Sequence, residues 1–290
     1  MTVALATCAE IPNGDDEARP LIEALAAHGV EAESAVWDDR SVNWDRFDLV
    51  VVRSTWDYTG RRDQFLAWAE RLPQVLNPPE VLRWNTDKRY LEVLGTDSVP
   101  TEFLDPGAEF AAPGHPYVIK PSIGAGSIGA ARYDAGDPGG LSHVTGLHAA
   151  GRTVMVQPYV EEIDDYGETA LIYVSGEFSH AVHKEPVLTR GGKPAAGELY
   201  VKEQMSAVEA TEQELVLAER VLDALPFARE ELLYTRIDLL PGPVVLEVEL
   251  TEPSLFIGYA EGAAERFAAA IAVESQRRRM SPENGPTTSQ

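Results

Sequence analysis

The chain has 290 residues and a formal net charge of −23, from 47 acidic against 24 basic side chains. A surface this acidic repels polyanions, which argues against a nucleic-acid partner, because such binding needs clustered Lys and Arg. No run approaches the roughly 18 apolar residues of a membrane span, and the N-terminus shows no signal-peptide pattern. The one cysteine, Cys8, allows no intrachain disulfide and suits a reducing compartment. We therefore expect a cytoplasmic protein.

The first 85 residues alternate apolar runs with helical patterns, which predicts a parallel sheet covered by helices. Strands are expected at 3–8, 31–37, 48–53 and 75–77, and helices after Asp15 or Asp16 and over 61–72. Cys8 ends the first strand, where we interpret it as a buried apolar residue rather than a nucleophile.

From about residue 86 the pattern changes to short strands with fewer helices, so the predicted fold class is α/β with an α+β second half. Strands are expected at 99–104, 117–121, 130–133, 153–160, 168–175 and 178–184, followed by two strands around Pro241-Gly242-Pro243. Helices are expected near 140–149, over 209–224 and in the Ala-rich segment before residue 279. The polar tail from 279 to 290 is predicted to be disordered.

The two strands around Pro241-Gly242-Pro243 predict an antiparallel hairpin. A turn over 241–244 would pair Leu240 with Val245. The core face of the hairpin would then carry Ile237, Leu239, Leu246 and Val248.

The opposite face of this hairpin carries four charged side chains. Asp238 would lie opposite Glu247, and Arg236 opposite Glu249. Facing carboxylates about 5 Å apart repel each other, and a hard divalent cation with oxygen ligands would compensate. A solvated acidic strand face is the alternative, and a one-residue slip in register would remove the argument.

A second chemical signal is a strand that ends in Lys120 and leads into a loop of small residues up to Gly129. Backbone N–H groups of such a loop can surround phosphate oxygens while the lysine adds a point charge. The loop also matches G-x-G-x-x-G over 124–129, but a dinucleotide site needs a helix to follow, and 130–133 is a predicted strand. A plain surface hairpin remains the alternative.

Taken in order, these pieces resemble the ATP-grasp superfamily over residues 85–272. The similarity is greatest to small carboxylate–amine ligases, such as the glutathione synthetase-like and the D-cycloserine-forming ATP-grasp enzymes. It implies domains at 1–85 (a Rossmann-like pre-ATP-grasp domain), 86–155 (the central subdomain) and 156–278 (the C-terminal subdomain with the ATP and Mg²⁺ site). Dimers are common among similar proteins, so a homodimer is one expectation, although the sequence itself does not reveal the oligomeric state.

The resemblance assigns site residues by their place in the family's motifs. In relatives the hinge segment 157–160 receives adenine, and an acidic residue such as Glu161 takes the ribose hydroxyls. The implied ATP-binding residues are Lys88, Lys120, Ser122, Gly124, Gly126, Ser127, Gln157, Pro158, Tyr159, Val160, Glu161, Glu168 and Lys184. The implied magnesium ligands are Asp238, Glu247 and Glu249, with Arg236, Lys184 and Lys120 stabilising the transferred charge. Many relatives have Asn at the position of Glu249, so the extra charge bears on metal number or affinity.

The function implied is an ATP- and Mg²⁺-dependent ligase that activates a carboxylate as an acyl phosphate and joins it to an amine. The two groups can belong to two small molecules or to one, as in the cyclisation that forms D-cycloserine. A catalytically silent ATP sensor and an ATP-grasp kinase are the alternatives.

Candidate substrate contacts come from the first 85 residues and from one later loop. Arg53, Ser54, Trp56 and Asp57 end a predicted strand, where ligands commonly bind in an open α/β sheet. Together they could hold an amino acid, although Trp56 could simply pack and Asp57 cap a helix. Asp16 could contact the substrate or cap the first helix. Arg190 could belong to a lid or to a solvated loop.

Overall fold

The computed structural model describes residues 1–188, 199–201 and 204–280. Strands in this part of the chain form three sheets, one parallel and two antiparallel. The predicted mixture of parallel and antiparallel α/β structure is therefore confirmed. No helix within the described residues has the length and apolar character that a membrane crossing requires.

The first sheet is parallel, with strand order β2-β1-β3-β4. Its elements are β1 (Thr2–Thr7), α1 (Ala18–Ala27), β2 (Glu31–Val36), β3 (Leu49–Ser54), α2 (Arg62–Ala69), β4 (Val75–Leu76) and α3 (Pro79–Asn85). The continuous apolar run of β3 is fully buried, as expected for a strand covered on both faces. The carboxyl ends of β1 and β3 lead into loops that reach the cavity described below.

The central sheet is antiparallel, with order β5-β8-β6-β7. Its elements follow the short helix α4 (Leu91–Leu94) and are β5 (Glu102–Leu104), β6 (Tyr117–Pro121), β7 (Ala131–Tyr133), α5 (Gly139–Ala149) and β8 (Val154–Pro158). The Gly-rich loop joins β6 to β7, so it is a strand–loop–strand element, as predicted. No helix follows the loop directly, which excludes the dinucleotide-binding interpretation.

The third sheet has order β11-β10-β9-β12-β13. Its elements are α6 (Ile163–Tyr166), β9 (Glu168–Val174), β10 (Glu177–Lys184), β11 (Met205–Val208), α7 (Glu212–Ala224), β12 (Tyr234–Leu240), β13 (Val244–Glu249) and α8 (Ala263–Met280). Helix α7 begins three residues later than predicted because Thr211 and Glu214 form a capping box. Helix α8 continues through the first two residues of the predicted tail, and 281–290 lie outside the described residues.

The β12–β13 hairpin has the predicted charge pairing but a different turn. Leu240 pairs with Val244 rather than Val245, so the turn is one residue shorter than expected. A bulge in β13 then absorbs one extra residue, Leu246, and restores the pairs Asp238–Glu247 and Arg236–Glu249. The prediction that Leu246 faces the core is therefore wrong: Val245 is fully buried instead, and Leu246 lines the cavity.

One hydrophobic core joins the first and third sheets. It contains Leu5 and Leu49 of the first sheet together with Ile172 of β9. Leu21 of α1 and Phe267 of α8 belong to the same cluster. This shared core holds the first sheet against the sheet that carries the acidic hairpin.

Candidate active site

A cavity of about 520 Å³ is lined by residues of all three sheets, a size typical of small-molecule sites. The connections after β1 and β3 of the first sheet contribute Asp16 and Trp56, the central sheet contributes Lys120, and the hairpin contributes Asp238 and Glu247. Residues predicted from distant parts of the sequence therefore share one site.

Side chains from the first half of the chain hold β13 in place. The amide of Asn85 donates to the carbonyl of Val248 at 2.7 Å and accepts from the amide N–H of Leu250 at 2.7 Å. The hydroxyl of Tyr90 accepts from the N–H of Val248 at 3.0 Å. Among the described residues β13 is the edge strand of its sheet, and these bonds satisfy backbone groups along it that no neighbouring strand pairs with. They therefore fix the position of the acidic face.

The charged groups of the hairpin form a buried network. Asp238 is 2% exposed and accepts from Arg236 at 2.8 and 2.9 Å and from Lys184 at 3.2 Å. Arg236 also contacts Glu249 at 2.5 Å, and Lys184 contacts Glu168 at 3.1 Å. The cationic side chains thus already neutralise part of the acidic face.

Two predicted lysines, Lys88 and Lys120, belong to the same cavity. Lys88 pairs with Glu247 at 2.7 Å and donates to the carbonyl of Gly124 at 2.7 Å. Lys120 lines the cavity, and burial lowers its pKa, as does the proximity of Lys88, while Glu247 opposes the shift. A buried lysine of this kind gains from an added anion, because the anion restores the favourable charged state.

The acidic side chains of the cavity differ in pKa. Burial opposes ionisation of Asp238, but Arg236 and Lys184 outweigh burial and lower its pKa to about 2. Burial raises the pKa of Glu249 to about 7, with repulsion from neighbouring carboxylates adding to the effect of burial and Arg236 opposing it. Burial and repulsion from Glu249 raise the pKa of Glu252 to about 8. The carboxyl groups that line the cavity outnumber its Lys and Arg side chains, and two of them are hard to ionise.

This donor set fits a divalent cation. Three carboxylates, those of Asp238, Glu247 and Glu249, project from one face of a hairpin, and hard oxygen ligands are those that Mg²⁺ prefers. Within the described residues, no three acidic, His or Cys side chains already converge as a preformed metal cluster. Instead Lys88 and Arg236 pair with these carboxylates. Burial is the main cause of the raised pKa of Glu249, and repulsion from Glu247 and Asp238 adds to it; a bound cation would oppose both effects.

The predicted hinge forms another wall of the cavity. Gln157, Pro158, Tyr159 and Val160 all line it, as does Glu168. Leu240 and Leu246 of the hairpin line it as well, and the sequence analysis missed both, since the bulge that turns Leu246 inward has no clear sequence signal. These apolar groups give the cavity a surface suited to a planar base.

Two residues assigned to ATP by resemblance do not line the cavity. Ser122 is buried, and its carbonyl accepts from the N–H of Lys88 at 2.9 Å. Glu161 is exposed. Ser122 therefore acts locally by placing Lys88.

The Gly-rich loop also borders the cavity. Gly124, Gly126 and Ser127 line the cavity. Gly126 has φ +57°, and its carbonyl accepts from the N–H of Val201 at 3.0 Å. A Cβ atom on Gly126 would stand 2.5 Å from the Cβ atom of Tyr200, so only glycine permits this approach. The loop is thus in contact with another segment at the rim.

The candidate substrate residues divide into two groups. Asp16 and Trp56 line the cavity, and the Trp56 ring packs edge-on against Tyr200 at 5.1 Å between centroids. Three others do not line it: Ser54 donates to Thr7 at 3.0 Å, Asp57 binds Trp37 and Arg61, and Arg53 pairs with Glu17. These three side chains are engaged in holding the first sheet and its loops. Arg190 lies outside the described residues.

Glu17 and Glu252 line the cavity but were not identified from the sequence. Glu17 accepts from the N–H groups of Leu255 and Ile257 at 3.0 and 3.1 Å and pairs with Arg53 at 2.6 Å. The only sequence signal was an acidic run before α1, which a helix cap explains equally well. Glu252 lies three residues beyond Glu249, outside the alternation that marks the hairpin.

Comparison with known proteins places the chain in a family. Residues 3–77 match the family model described as D-cycloserine synthetase DcsG, N-terminal domain. The cycloserine biosynthesis protein DcsG of Streptomyces lavendulae is 36% identical over 282 residues, covering 89% of this chain and 93% of that protein. The crystal structure of D-cycloserine synthetase DcsG superposes with a TM-score of 0.83 at 34% identity, covering 95% of this chain and all of that one.

More distant structures share the fold. The D-alanine–D-alanine ligase of Bacillus anthracis has a TM-score of 0.63 at 15% identity, over 97% of this chain and 99% of that one. The ATP-grasp ligase PsnB has a TM-score of 0.58 at 15% identity, over 94% and 98%. The predicted ATP-grasp fold is thereby confirmed. Because the relative from Streptomyces lavendulae is 36% identical over 89% of this chain, the chain belongs to the D-cycloserine synthetase DcsG family, and it has the ATP-grasp fold.

Proposed function

We propose that the chain is an ATP- and Mg²⁺-dependent ligase that closes a ring by joining a carboxyl carbon to a nitrogen of the same molecule, with D-cycloserine or a close analogue as product. The observation that carries the proposal is the clustering of Lys120, Lys184 and Arg236 with three carboxylates in one cavity. The full-length relative that is named for cycloserine biosynthesis supports the choice of product.

The first step is the transfer of a phosphoryl group to the substrate carboxylate. A carboxylate oxygen bonds to the terminal phosphorus of ATP, and the bond from that phosphorus to the ADP oxygen breaks. Lys120, Lys184 and Arg236 would align the two anions and neutralise the charge that spreads over the phosphoryl oxygens. Mg²⁺, held by Asp238, Glu247 and Glu249, would supply further charge neutralisation.

The second step forms the amide. The nitrogen attacks the carbon of the acyl phosphate, the bond to phosphate breaks with its electron pair, and the nitrogen loses a proton to solvent. D-Cycloserine contains a nitrogen bonded to oxygen within a five-membered ring. A serine derivative with nitrogen on its side-chain oxygen is therefore the class of substrate that such a ligase would cyclise.

The cavity offers suitable contacts for such a substrate. Arg236 can take a carboxylate or phosphoryl oxygen, while Asp16 and Glu252 give the same cavity acidic groups for an ammonium. The Gly-rich loop would exclude water, which otherwise hydrolyses an acyl phosphate. We further propose that the enzyme acts in the cytoplasm, and that it forms a homodimer, which light scattering of the purified protein would test.

The test is turnover of ATP with O-amino-D-serine and its L enantiomer in the presence of Mg²⁺. We expect release of equal amounts of ADP, phosphate and ring product, measured by an enzyme-coupled assay and by mass spectrometry. ADP release without phosphate or ring product would instead support a kinase, and ATP binding without any turnover in amino-acid pools would support a sensor.

A variant links the reaction to the site. Lys120→Ala should lower turnover about 100- to 1000-fold, as is typical when one charge-stabilising group is removed. Arg220→Ala is the control, because this exposed side chain pairs with Asp97 and does not line the cavity. Near-normal turnover of Lys120→Ala would remove Lys120 from the mechanism.

A further inference from the structure

Arg132 is a buried cation with no place in the mechanism above. It lies on β7, the strand that follows the Gly-rich loop, and is 3% exposed. One guanidinium nitrogen donates to both carboxylate oxygens of Asp164 on α6, at 3.0 and 2.9 Å. The guanidinium carbon stands 3.5 Å from the centroid of the Tyr159 ring. The hydroxyl of Tyr159 in turn donates to Asp164. We call Arg132, Tyr159 and Asp164 the hinge clamp.

The hinge clamp contacts the cavity through one member only. Tyr159 lines the cavity, whereas Arg132 and Asp164 do not. The N–H of Tyr159 donates to the carbonyl of Pro116 at 2.9 Å, which ties its backbone to the start of β6. Its ring is held from the other side by Arg132. The orientation of this wall therefore depends on a residue that cannot itself touch a ligand there.

The chemistry of Arg132 is unusual for a residue that merely stabilises the fold. A buried guanidinium is costly to desolvate unless its donors are well paired. Yet Nε of Arg132 has no hydrogen-bond partner among the described residues. Its charge is balanced by Asp164, whose side chain is half exposed, and by the face of an aromatic ring. The arrangement favours contact with Tyr159 over full hydrogen bonding of Arg132.

We propose that Arg132 is a positioning residue for the nucleotide, which sets ATP affinity by holding the Tyr159 ring and the backbone of 157–160 against the cavity. The inference rests on the proposed use of ATP in this cavity. Because Arg132 follows the Gly-rich loop by three residues, it also ties the strand at the end of that loop to the wall opposite. ATP affinity and loop position are then linked through one side chain.

The experiment measures the Kd of ATP with Mg²⁺ by titration calorimetry for the wild type, Arg132→Met, Arg132→Lys and Asp164→Asn. Arg132→Met should bind ATP about tenfold more weakly, the order expected for losing a desolvated cation–π contact. Arg132→Lys keeps the charge but not the planar group, so its Kd for ATP should lie between those of the wild type and Arg132→Met. The Asp164→Asn and Arg132→Met effects should be less than additive in the double variant, because the residues share one cluster.

The control and the turnover kinetics separate positioning from a general loss of stability. Arg220→Met breaks an Arg–Asp pair at the surface whose members do not line the cavity, and it should leave the Kd unchanged. In Arg132→Met the KM for ATP should rise with the Kd, while kcat at saturating ATP stays within about twofold. A fall in kcat at saturating ATP as large as the rise in KM would indicate a structural role and overturn the proposal.

The remaining outcomes test the proposal and the proposed function separately. A wild-type Kd in folded Arg132→Met overturns the proposal, and if that variant does not fold, the Kd of Arg132→Lys decides in its place. Failure of the wild type to bind ATP would refute the proposed function instead, and it is seen before any variant is made.

Discussion

Replacing Asp238 with asparagine keeps the shape of the side chain and removes its charge. The carboxylate is 2% exposed and faces two cations, Arg236 and Lys184. Its strongly lowered pKa shows that both cations stabilise its ionised form. The variant therefore tests the charge of Asp238 with little change in volume.

The expected loss of stability follows from the contacts that remain. Removing one partner of a buried ion pair costs about 3–5 kcal/mol. Glu249 and Glu168 still contact Arg236 and Lys184, at 2.5 and 3.1 Å, so the lower end, about 3 kcal/mol, applies. At about 2 °C per kcal/mol for a large domain, the Tm should fall by roughly 6 °C. Turnover should fall about 100- to 1000-fold, because the lost group would also bind Mg²⁺.

Thermal unfolding by circular dichroism and steady-state ADP release measure the two effects separately. Asp97→Asn is the matched control, because it removes the same group from an exposed pair with Arg220 and should cost under about 1 kcal/mol. If Asp238→Asn turned over ATP within threefold of the wild type while unfolding 6 °C lower, Asp238 would be structural and the assignment of the metal face would be wrong.

Two further variants test the loop and the buried acid. Gly126→Ala should release phosphate without forming product, because the new methyl group displaces Tyr200 and admits water. Gly136 also has a positive φ, but a Cβ there would meet no atom of the described residues within 4 Å, so equal uncoupling in Gly136→Ala would point to backbone strain alone. Burial raises the pKa of Glu252 to about 8 from an ordinary value of 4.5. Between these two pH values the folded state binds a proton that the unfolded state lacks, so the free energy of unfolding falls as pH rises. In urea titrations, the free energy of unfolding of Glu252→Gln should therefore fall less between pH 5 and pH 8.5 than that of the wild type. An equal pH dependence in the two proteins would contradict the raised pKa of Glu252.

The sequence predicted the site correctly where charged residues follow the two-residue repeat of a β-strand. Alternation along β12 and β13 predicted that Asp238 faces Glu247 and that Arg236 faces Glu249, and the structure has both pairs. The shorter turn and its compensating bulge could not be predicted, because any residue can occupy a bulge and no glycine marks this one. Leu246 was misplaced for that reason.

Residues whose role depends on partners far away in the sequence were harder to predict. Arg53 combines the features of a substrate ligand, a charged residue at the end of a parallel strand, but its partners Glu17 and Pro253 lie 36 and 200 positions away along the chain. Arg132 gave no signal at all, since Asp164 and Tyr159 meet it only after the central sheet folds. Long-range pairing of this kind has no local period from which it could be predicted.

The link between Glu17, Arg53 and the segment 253–257 has a consequence for exchanging parts between related enzymes. Glu17 accepts from two backbone N–H groups of that segment, and Arg53 donates to the carbonyl of Pro253. The same segment holds Arg236 through the carbonyl of Ser254 at 3.1 Å. A chimera that takes residues 1–85 from a relative without this Glu–Arg pair would keep Lys88, Lys120 and Lys184, which we propose bind phosphate. It would nevertheless lose the contacts that hold the segment behind Arg236 in place.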